Sequence, residues 1–254
     1  MTDSTDSLVL LHGFGGTGRM WERVIARLSS GPGERSRGDG VLAPDLPGHG
    51  SSARTDPAWG ISFADCVEYV LSRAGAPARF ELCGYSLGGR IALHVALAAP
   101  ERVTRLVLVS STAGIEDASE RAARRAADAR LADELERTGI EPFLARWRTQ
   151  PLFSEDPPEV DAAACADYRR NSPGELAAVL RGVGTGEMRP LWARLRELEM
   201  PVLVLAGARD RKFTEIARRM QGVAPNVQVT ILAGGHRLPL ENPAGVARVL
   251  VGAR

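Results

Sequence analysis

Short, nearly continuous apolar runs alternate along the chain with longer segments in which apolar residues recur at helical spacing. The continuous runs are typical of strands that are covered on both faces, as in a parallel sheet. They lie at residues 8–11, 41–43, 80–83, 106–109, 202–206 and 227–232. The helical segments between them lie at 20–28, 63–74, 87–98, 214–222 and 243–251. This alternation predicts parallel strands joined by right-handed helical crossovers.

One long segment departs from this alternation. Residues 114–190 hold no strand-like run, and their charged sequence predicts four helices, at 118–137, 141–148, 160–170 and 174–183. We therefore expect a helical cap at 114–190, inserted into an α/β core that is formed by residues 1–113 and 191–254. The polar, glycine-rich stretch at 30–40 predicts a surface loop.

Composition narrows the class of protein. The 254 residues suffice for one domain with a sizeable core, and 44% apolar with 25% charged residues is an ordinary globular balance. A net charge of +1 gives no attraction to nucleic acid or to an anionic membrane. Three cysteines without paired or metal-like spacing indicate reduced thiols, and neither a signal peptide nor an apolar stretch of about 20 residues is evident. We expect a cytoplasmic protein, either a monomer or a small homo-oligomer.

The pentapeptide Gly84-Tyr85-Ser86-Leu87-Gly88 has the G-x-S-x-G form of a nucleophile elbow. It follows a predicted strand and opens a predicted helix, which is the context that the motif requires. The glycines leave room for a strained turn, and the helix N-terminus directs backbone N–H groups at the site. A glycine-rich turn with an idle serine is the alternative, and this context disfavours it. We predict Ser86 as the reactive serine and the Leu87 N–H as one oxyanion donor.

Three further positions complete a serine-centred site. Residues 12–16 directly follow the first predicted strand, where α/β-hydrolases supply the second oxyanion N–H, here that of Phe14. Asp210 and His236 each follow a later predicted strand, and the chain order Ser, acid, His is that of this fold. Open α/β sheets place their sites at the carboxyl ends of strands, so these residues are expected to meet. We predict an α/β-hydrolase fold: a mostly parallel sheet flanked by helices, with an inserted helical cap and a Ser86–Asp210–His236 triad.

The other histidines have less suitable positions for a catalytic base. His12 lies in the oxyanion loop, His49 in a second loop and His94 on the elbow helix, so we expect all three to support the structure. An ion pair with a neighbouring arginine is the alternative role for Asp210. No grouping of His, Cys, Asp and Glu has the spacing of metal ligands, and no phosphate-binding glycine motif occurs. Neither a metal nor a cofactor is expected.

The chain resembles the 2-succinyl-6-hydroxy-2,4-cyclohexadiene-1-carboxylate synthases, the MenH lyases of menaquinone biosynthesis, over nearly its whole length. The matching stretches are His12-Gly13-Phe14, Asp45-Leu46-Pro47-Gly48-His49-Gly50, Gly84-Tyr85-Ser86-Leu87-Gly88-Gly89-Arg90, Gln150-Pro151-Leu152-Phe153, Gly184-Thr185-Gly186, Asp210-Arg211-Lys212-Phe213 and Gly235-His236. The more specific of these are Tyr85 with Arg90, the Lys212-Phe213 pair, and the cap stretch that runs from Trp147 to Gln150-Pro151-Leu152-Phe153. One departure is Arg148, which stands where the family usually has an aromatic residue after the cap tryptophan.

The resemblance implies a reaction and a role for each site residue. That family eliminates pyruvate from 2-succinyl-5-enolpyruvyl-6-hydroxy-3-cyclohexene-1-carboxylate, with Ser86, activated by His236, as the base and without an acyl-enzyme. The amides of Phe14 and Leu87 would hold the enolate-like charge. The residues that the resemblance assigns to substrate binding are Tyr85, Arg90, Arg124, Trp147 and Arg169.

The positions of the arginines in this set differ in how strongly they indicate a role in substrate binding. Lys212 is the only lysine among 32 basic residues, so the presence of an arginine by itself says little about function. Arg90 lies four residues after Ser86 on the elbow helix, and a guanidinium suits bidentate capture of a carboxylate. In the cap each candidate has an adjacent competitor: Arg125 beside Arg124, and Arg170 beside Arg169.

Two other functions stay open on the sequence alone. The triad supports equally well a hydrolase of a small ester, a lactone or a C–C bond, acting through an acyl-enzyme. A binding protein that uses the same pocket without chemistry is also compatible with the fold, although an intact triad argues against it. The lyase implies a small polycarboxylate as the molecule that the pocket binds.

Overall fold

The computed structural model describes residues 7–29, 40–52, 61–75 and 79–252. The predicted loop at 30–40 lies outside the described residues except for Gly40. Six strands form one sheet in the order β2-β1-β3-β4-β5-β6, and every described pairing is parallel. The strands are β1 (Ser7–Leu11), β2 (Val41–Leu42), β3 (Phe80–Tyr85), β4 (Val103–Val109), β5 (Val202–Gly207) and β6 (Val227–Leu232). The predicted parallel sheet is confirmed.

Alternate side chains of the strands bury themselves on opposite faces of the sheet. In β1, Val9 and Leu11 join one apolar cluster, whereas Leu8 and Leu10 join the other. Helices cover both faces, which explains why the strands have continuous rather than alternating apolar sequences. These helices are α1 (Glu22–Ser29), α2 (Phe63–Arg73), α3 (Leu87–Ala98), α8 (Arg211–Val223), α9 (Leu238–Glu241) and α10 (Pro243–Gly252).

Four helices lie between β4 and β5, and no described residue of this segment belongs to a strand. They are α4 (Ala118–Thr138), α5 (Ile140–Trp147), α6 (Pro158–Tyr168) and α7 (Pro173–Val183), each within two residues of its predicted bounds. Apolar side chains join them to one another, among them Leu135, Phe143 and Leu176. The division of the chain into a core and a separate cap domain stays a prediction.

The carboxyl ends of β1, β3, β4, β5 and β6 lie at one edge of the sheet, because all pairings are parallel. The loops that carry the predicted site residues therefore converge at this edge, beneath α4–α7. No helix in the described part of the chain is both long and apolar enough to cross a membrane. All three cysteines are buried free thiols.

Candidate active site

Ser86 occupies a strained turn between β3 and α3. Its φ of 51° lies in the left-handed region, which non-glycine residues rarely adopt, and such strain is typical of functional positions. A Cβ on Gly84 would stand 2.3 Å from the Gly88 carbonyl oxygen, and a Cβ on Gly88 would stand 2.3 Å from the Leu11 carbonyl oxygen. Both positions therefore require glycine, and the turn presents Ser86 at the carboxyl edge of the sheet.

The structure brings Ser86, His236 and Asp210 together. The His236 Nε2 lies 3.3 Å from the Ser86 Oγ, and the His236 Nδ1 lies 2.7 Å from the Asp210 Oδ2. Asp210 also accepts the Phe213 N–H at 3.2 Å. This geometry fits an Nδ1–H that donates to the carboxylate and an Nε2 that is free to accept the serine proton. Burial lowers the pKa of His236 against the opposing effect of Asp210, so the ring is neutral at neutral pH.

The loops that carry the acid and the base are joined to each other. Glu241 accepts the Gly235 N–H at 2.7 Å and the Arg209 Nη2 at 2.5 Å. The Arg209 N–H also donates to the Gly234 carbonyl at 3.0 Å. These contacts connect the residue before Asp210 with the residues before His236, and so fix the spacing of the two loops.

Phe14 and Leu87 line the cavity, and the backbone N–H of each has no protein acceptor among the described residues. Leu87 is the first residue of α3, where the helix dipole adds partial positive charge. Phe14 lies in the loop after β1. Paired N–H groups beside a reactive serine can hold an oxyanion, and one such donor is worth about 3 kcal/mol in a transition state.

Two fully buried histidines support the loop that contains Phe14. The His12 Nε2 accepts the Leu46 N–H at 2.9 Å, and the His49 Nε2 accepts the Gly15 N–H at 3.2 Å. Burial lowers the pKa of both rings, that of His49 to about 3. Both histidines are therefore neutral parts of the loop scaffold.

A cavity of about 1150 Å³ opens above Ser86, and one part of its lining is cationic. Arg90 is only 7% exposed and has no carboxylate partner within 4 Å among the described residues; its Nη1 donates to the Val183 carbonyl at 2.7 Å. Burial lowers the pKa of Arg90 to about 10, and the nearby charge of Arg124 acts in the same direction. Lys212 lines the same cavity, and burial also lowers its pKa.

Arg124 faces this cavity because of a partner one helical turn further along α4. Its Nε donates to the Asp128 carboxylate at 2.8 Å, and Asp128 is buried and also accepts the Gly186 N–H. The terminal guanidinium nitrogens of Arg124 have no acceptor among the described residues. The adjacent Arg125 instead pairs with Glu187.

Arg169 lies away from the cavity, contrary to the role that the resemblance implies. Its side chain is 51% exposed, and two of its nitrogens donate to the two oxygens of Glu141 at 2.6 and 2.8 Å. The physical reason is its place directly after the end of α6, where Tyr168 takes the inward position and lines the cavity. The competitor Arg170 is also exposed, and its nearest carboxylate is Asp167 at 3.7 Å.

Aromatic side chains form another wall of the cavity. Tyr85 and Trp147 line the cavity, as expected, and Tyr168 and Phe153 also line it. The Trp147 ring lies 5.4 Å from that of Phe14. Arg148 pairs with Asp161 and does not line the cavity, so the departure from the family pattern leaves this wall intact.

Tyr168 and Lys212 are among the lining residues that the expected substrate-binding set does not include. Tyr168 carries no local sequence signal that distinguishes it from other apolar positions of α6. Lys212 does carry one, because a chain that otherwise uses arginine retains its single lysine here.

Comparisons with known proteins agree on one group. Residues 8–249 match the alpha/beta hydrolase family. A putative 2-succinyl-6-hydroxy-2,4-cyclohexadiene-1-carboxylate synthase of Bacillus subtilis (strain 168) is 32% identical over 255 residues, 95% of this chain and 87% of that protein. The synthase of the same name from Salmonella schwarzengrund (strain CVM19633) is 36% identical over 244 residues, covering 94% of this chain and 90% of the relative. The solved structure of MenH from S. aureus has a TM-score of 0.88 and 31% identity, covering 99% of this chain and 94% of that one.

Proposed function

Because this chain belongs to the 2-succinyl-6-hydroxy-2,4-cyclohexadiene-1-carboxylate synthases of the α/β-hydrolase family, we propose that its cavity eliminates pyruvate from 2-succinyl-5-enolpyruvyl-6-hydroxy-3-cyclohexene-1-carboxylate. The fold class and the family inferred from the sequence are confirmed. The assignment of individual residues to the reaction is our proposal.

The names of substrate and product define the bonds that change. The substrate has one ring double bond at C3 and the product has two, at C2 and C4. A base removes the proton at C2, which the neighbouring succinyl carbonyl acidifies. The electron pair forms the C2–C3 double bond, the existing double bond moves to C4–C5, and the C5–O bond breaks. The leaving enolate takes up a proton and becomes pyruvate.

Ser86 supplies the base in this proposal. The Ser86 hydroxyl gives its proton to the His236 Nε2 as its oxygen takes the C2 proton, and Asp210 stabilises the imidazolium that forms. A positioned general base typically contributes 10²–10⁴-fold to the rate. No bond forms between Ser86 and the substrate, because the serine meets a C–H where an ester would present its carbonyl carbon.

The negative charge that develops on the succinyl carbonyl oxygen needs donors that are already in place. The amides of Phe14 and Leu87 are suited to this, since neither is engaged by the described protein. Their partial charges are fixed before the reaction, so little reorganisation is needed as the charge develops.

The observation that carries the proposal is the buried guanidinium of Arg90, which lines the same cavity as Ser86 and has no carboxylate within 4 Å among the described residues. A buried charge without a counter-ion is unfavourable unless a ligand supplies the counter-ion. Arg124 and Lys212 line the same cavity, so this part of the wall suits a substrate with several carboxylates. We propose that Tyr85 and Trp147 shape the pocket around the ring.

The proposed cellular setting follows from this chemistry. A small polycarboxylate is a water-soluble substrate, and three buried free thiols suit a reducing compartment. We therefore propose a cytoplasmic enzyme.

A hydrolase would use the same triad but would not need the cationic wall. The two reactions differ in what they release and in whether Ser86 becomes acylated. An activated ester tests for the acyl-enzyme, and pyruvate release tests for the lyase.

The decisive experiment measures pyruvate release from the substrate, generated in situ from isochorismate and 2-oxoglutarate by the preceding synthase, above the spontaneous background. Wild type, Ser86→Ala, Arg90→Ala and the surface control Arg194→Ala are compared. We expect release to collapse in the first two variants and to be unchanged in the control, because Arg194 pairs with Glu197 at the surface. Undiminished release by Ser86→Ala would refute the proposed base. Release at the background rate by wild type, with ester turnover, would favour the hydrolase.

A further inference from the structure

The end of the cap helix α6 is bonded directly to the loop that contains Phe14. The contacts come from Asp167, in the last turn of α6, and from Asn171, three residues beyond the end of that helix. Both side chains are buried, with 9% and 7% of their surfaces exposed. A buried carboxylate is unfavourable unless hydrogen bonds satisfy it, so the partners of Asp167 are informative.

Asp167 binds Thr17, which ends the loop after β1. One carboxylate oxygen accepts the Thr17 N–H at 2.7 Å, and the other accepts the Thr17 hydroxyl at 2.5 Å. Charge-assisted hydrogen bonds of this kind are about twice as strong as neutral ones. The pair holds both the backbone and the side chain of Thr17 against the cap.

Asn171 binds the same loop two residues closer to Phe14. Its Nδ2 donates to the Gly15 carbonyl at 2.9 Å, and its Oδ1 accepts the Gly50 N–H at 2.8 Å. The Gly15 N–H meanwhile donates to the buried ring of His49. Both backbone polar groups of Gly15 therefore have fixed partners.

Gly15 packs directly against the last residue of α6, Tyr168. The glycine has a φ of +71°, and a Cβ there would stand 2.0 Å from the Tyr168 ring. On the other side of Phe14, the Gly13 carbonyl accepts the Gly16 N–H at 3.0 Å. The peptide groups on both sides of Phe14 are thus held, and the Phe14 N–H has no acceptor among the described residues.

We propose that Asp167 and Asn171 are positioning residues for the Phe14 amide, so that the end of α6 sets the geometry of the oxyanion hole. This rests on the oxyanion role that the proposed function gives to Phe14. A shift of this helix end would carry the loop with it through Thr17 and Gly15. Since a misplacement of about 1 Å can lower a rate roughly 10²-fold, the cap controls the chemical step and not only entry to the cavity.

The test compares Asp167→Ala, Asp167→Asn and Thr17→Val with wild type and with Ser172→Ala. The asparagine variant retains both contacts, because its Oδ1 can accept the Thr17 N–H while its Nδ2 donates to the threonine oxygen. Ser172 is an exposed neighbour whose side chain makes no capping hydrogen bond, so it serves as the matched control. Thr17→Val removes the hydroxyl partner of Asp167, together with the bond that this oxygen accepts from the Arg19 N–H at 3.3 Å, and it replaces Asp167→Ala in the test if that variant does not fold.

Three readouts separate positioning from general destabilisation. They are kcat and KM for pyruvate release, the thermal midpoint, and the amide spectrum of protein labelled with ¹⁵N-phenylalanine. The chain has six phenylalanines, so the Phe14 resonance can be assigned from a Phe14→Leu variant.

We expect Asp167→Ala to lower kcat about 10- to 100-fold with KM within about threefold. The kcat of Asp167→Asn should stay within about fivefold of the wild-type value. The kcat of the Thr17→Val/Asp167→Ala double variant should be no lower than that of Asp167→Ala, because both substitutions remove the same contact. The Phe14 resonance should move while that of Phe80 stays in place. An unchanged kcat at a temperature where the variants are folded would overturn the inference, as would an unmoved Phe14 resonance. If wild type releases no pyruvate but the resonance moves, the proposed lyase fails and the positioning contact stands.

Discussion

Acidification is expected to destabilise this protein through the two buried histidines of the loop scaffold. The rings of His12 and His49 are fully buried and their centroids lie 4.8 Å apart. Each uses Nε2 to accept a backbone N–H. Protonation would replace that acceptor with a donor and would bring a positive charge into the interior, so the folded protein resists it.

The direction and size of the effect follow from the pKa of His49. Burial, together with a smaller effect of the charge on His12, lowers this pKa from 6.5 to about 3, against the weaker opposing effects of the Pro47 and Leu46 backbone and of Asp45. Between these values the unfolded chain binds a proton that the folded protein does not. Stability is therefore complete above about pH 6.5 and falls as the pH falls, by about 1.4 kcal/mol per pH unit for one histidine. At pH 4.5, two units lower, His49 accounts for about 3 kcal/mol.

The assay is urea unfolding of wild type and His49→Gln at several pH values from 7 to 4.5. The glutamine Oε1 can accept the Gly15 N–H but does not titrate. The variant loses the Nδ1 bond to the Pro47 carbonyl, so it should be less stable at pH 7 by about 1 kcal/mol. As the pH falls, its free energy of unfolding should fall less steeply than that of wild type, and the two slopes should differ by about 1.4 kcal/mol per pH unit. The two curves should therefore cross between pH 5 and 6.

Tyr69→Phe is the matched control, because it removes a hydrogen bond from the tyrosine hydroxyl to the Asp45 carbonyl near the same loops. It leaves both buried histidines in place, so its curve should run parallel to that of wild type. Parallel curves for His49→Gln would show that His49 binds a proton in the folded protein, and would refute the reasoning.

Three further outcomes test the site. Gly15→Ala should lower kcat at least about 100-fold, because the new Cβ would overlap the Tyr168 ring. The control is Gly75→Ala, which has a similar φ of +75° but open space around it. It should lower the free energy of unfolding by about 1 kcal/mol and leave kcat unchanged. Arg124→Ala should raise KM at least about tenfold, and Arg169→Ala should leave it within about twofold; the reverse would restore the role that the resemblance implies. The kcat/KM for pyruvate release should fall at acidic pH with an inflection below 6.5, because the neutral His236 is the active form and burial lowers its pKa; a fall centred above 6.5 would contradict this.

The sequence was sufficient to predict those site residues whose positions depend on the neighbouring strand and helix. A glycine at position 84 is required by a contact within the turn itself, with the Gly88 carbonyl oxygen, and the G-x-S-x-G pattern predicts both glycines of this turn from the sequence. Asp210 and His236 follow strands that the apolar pattern already predicted, and parallel pairing brings such strand ends together. These residues could be placed in one site without knowledge of any long-range contact.

The cap could not be placed in the same way. Successive helical residues point about 100° apart, so the choice between adjacent arginines depends on where the helix begins and ends. The sequence predicted α6 over residues 160–170, and the helix spans Pro158–Tyr168. Tyr168 lines the cavity, and Arg169, one position further with helical backbone angles, lies outside it. The contact of Asp167 with Thr17 joins residues 150 positions apart, and neither residue carries a local signal of it.

The single lysine allows the cavity to be labelled selectively with an amine-reactive reagent. Apart from the amino terminus, Lys212 is the only primary amine in the chain, and it lines the cavity. Partial burial of the amine and the nearby charge of Arg124 lower its pKa, so a larger fraction is in the nucleophilic, unprotonated form at a given pH than for a lysine with an ordinary pKa. A fluorescent acylating reagent would thus label one side chain and report whether a ligand occupies the cavity. For the same reason, immobilisation of this protein through lysine would block the very surface that a binding assay needs.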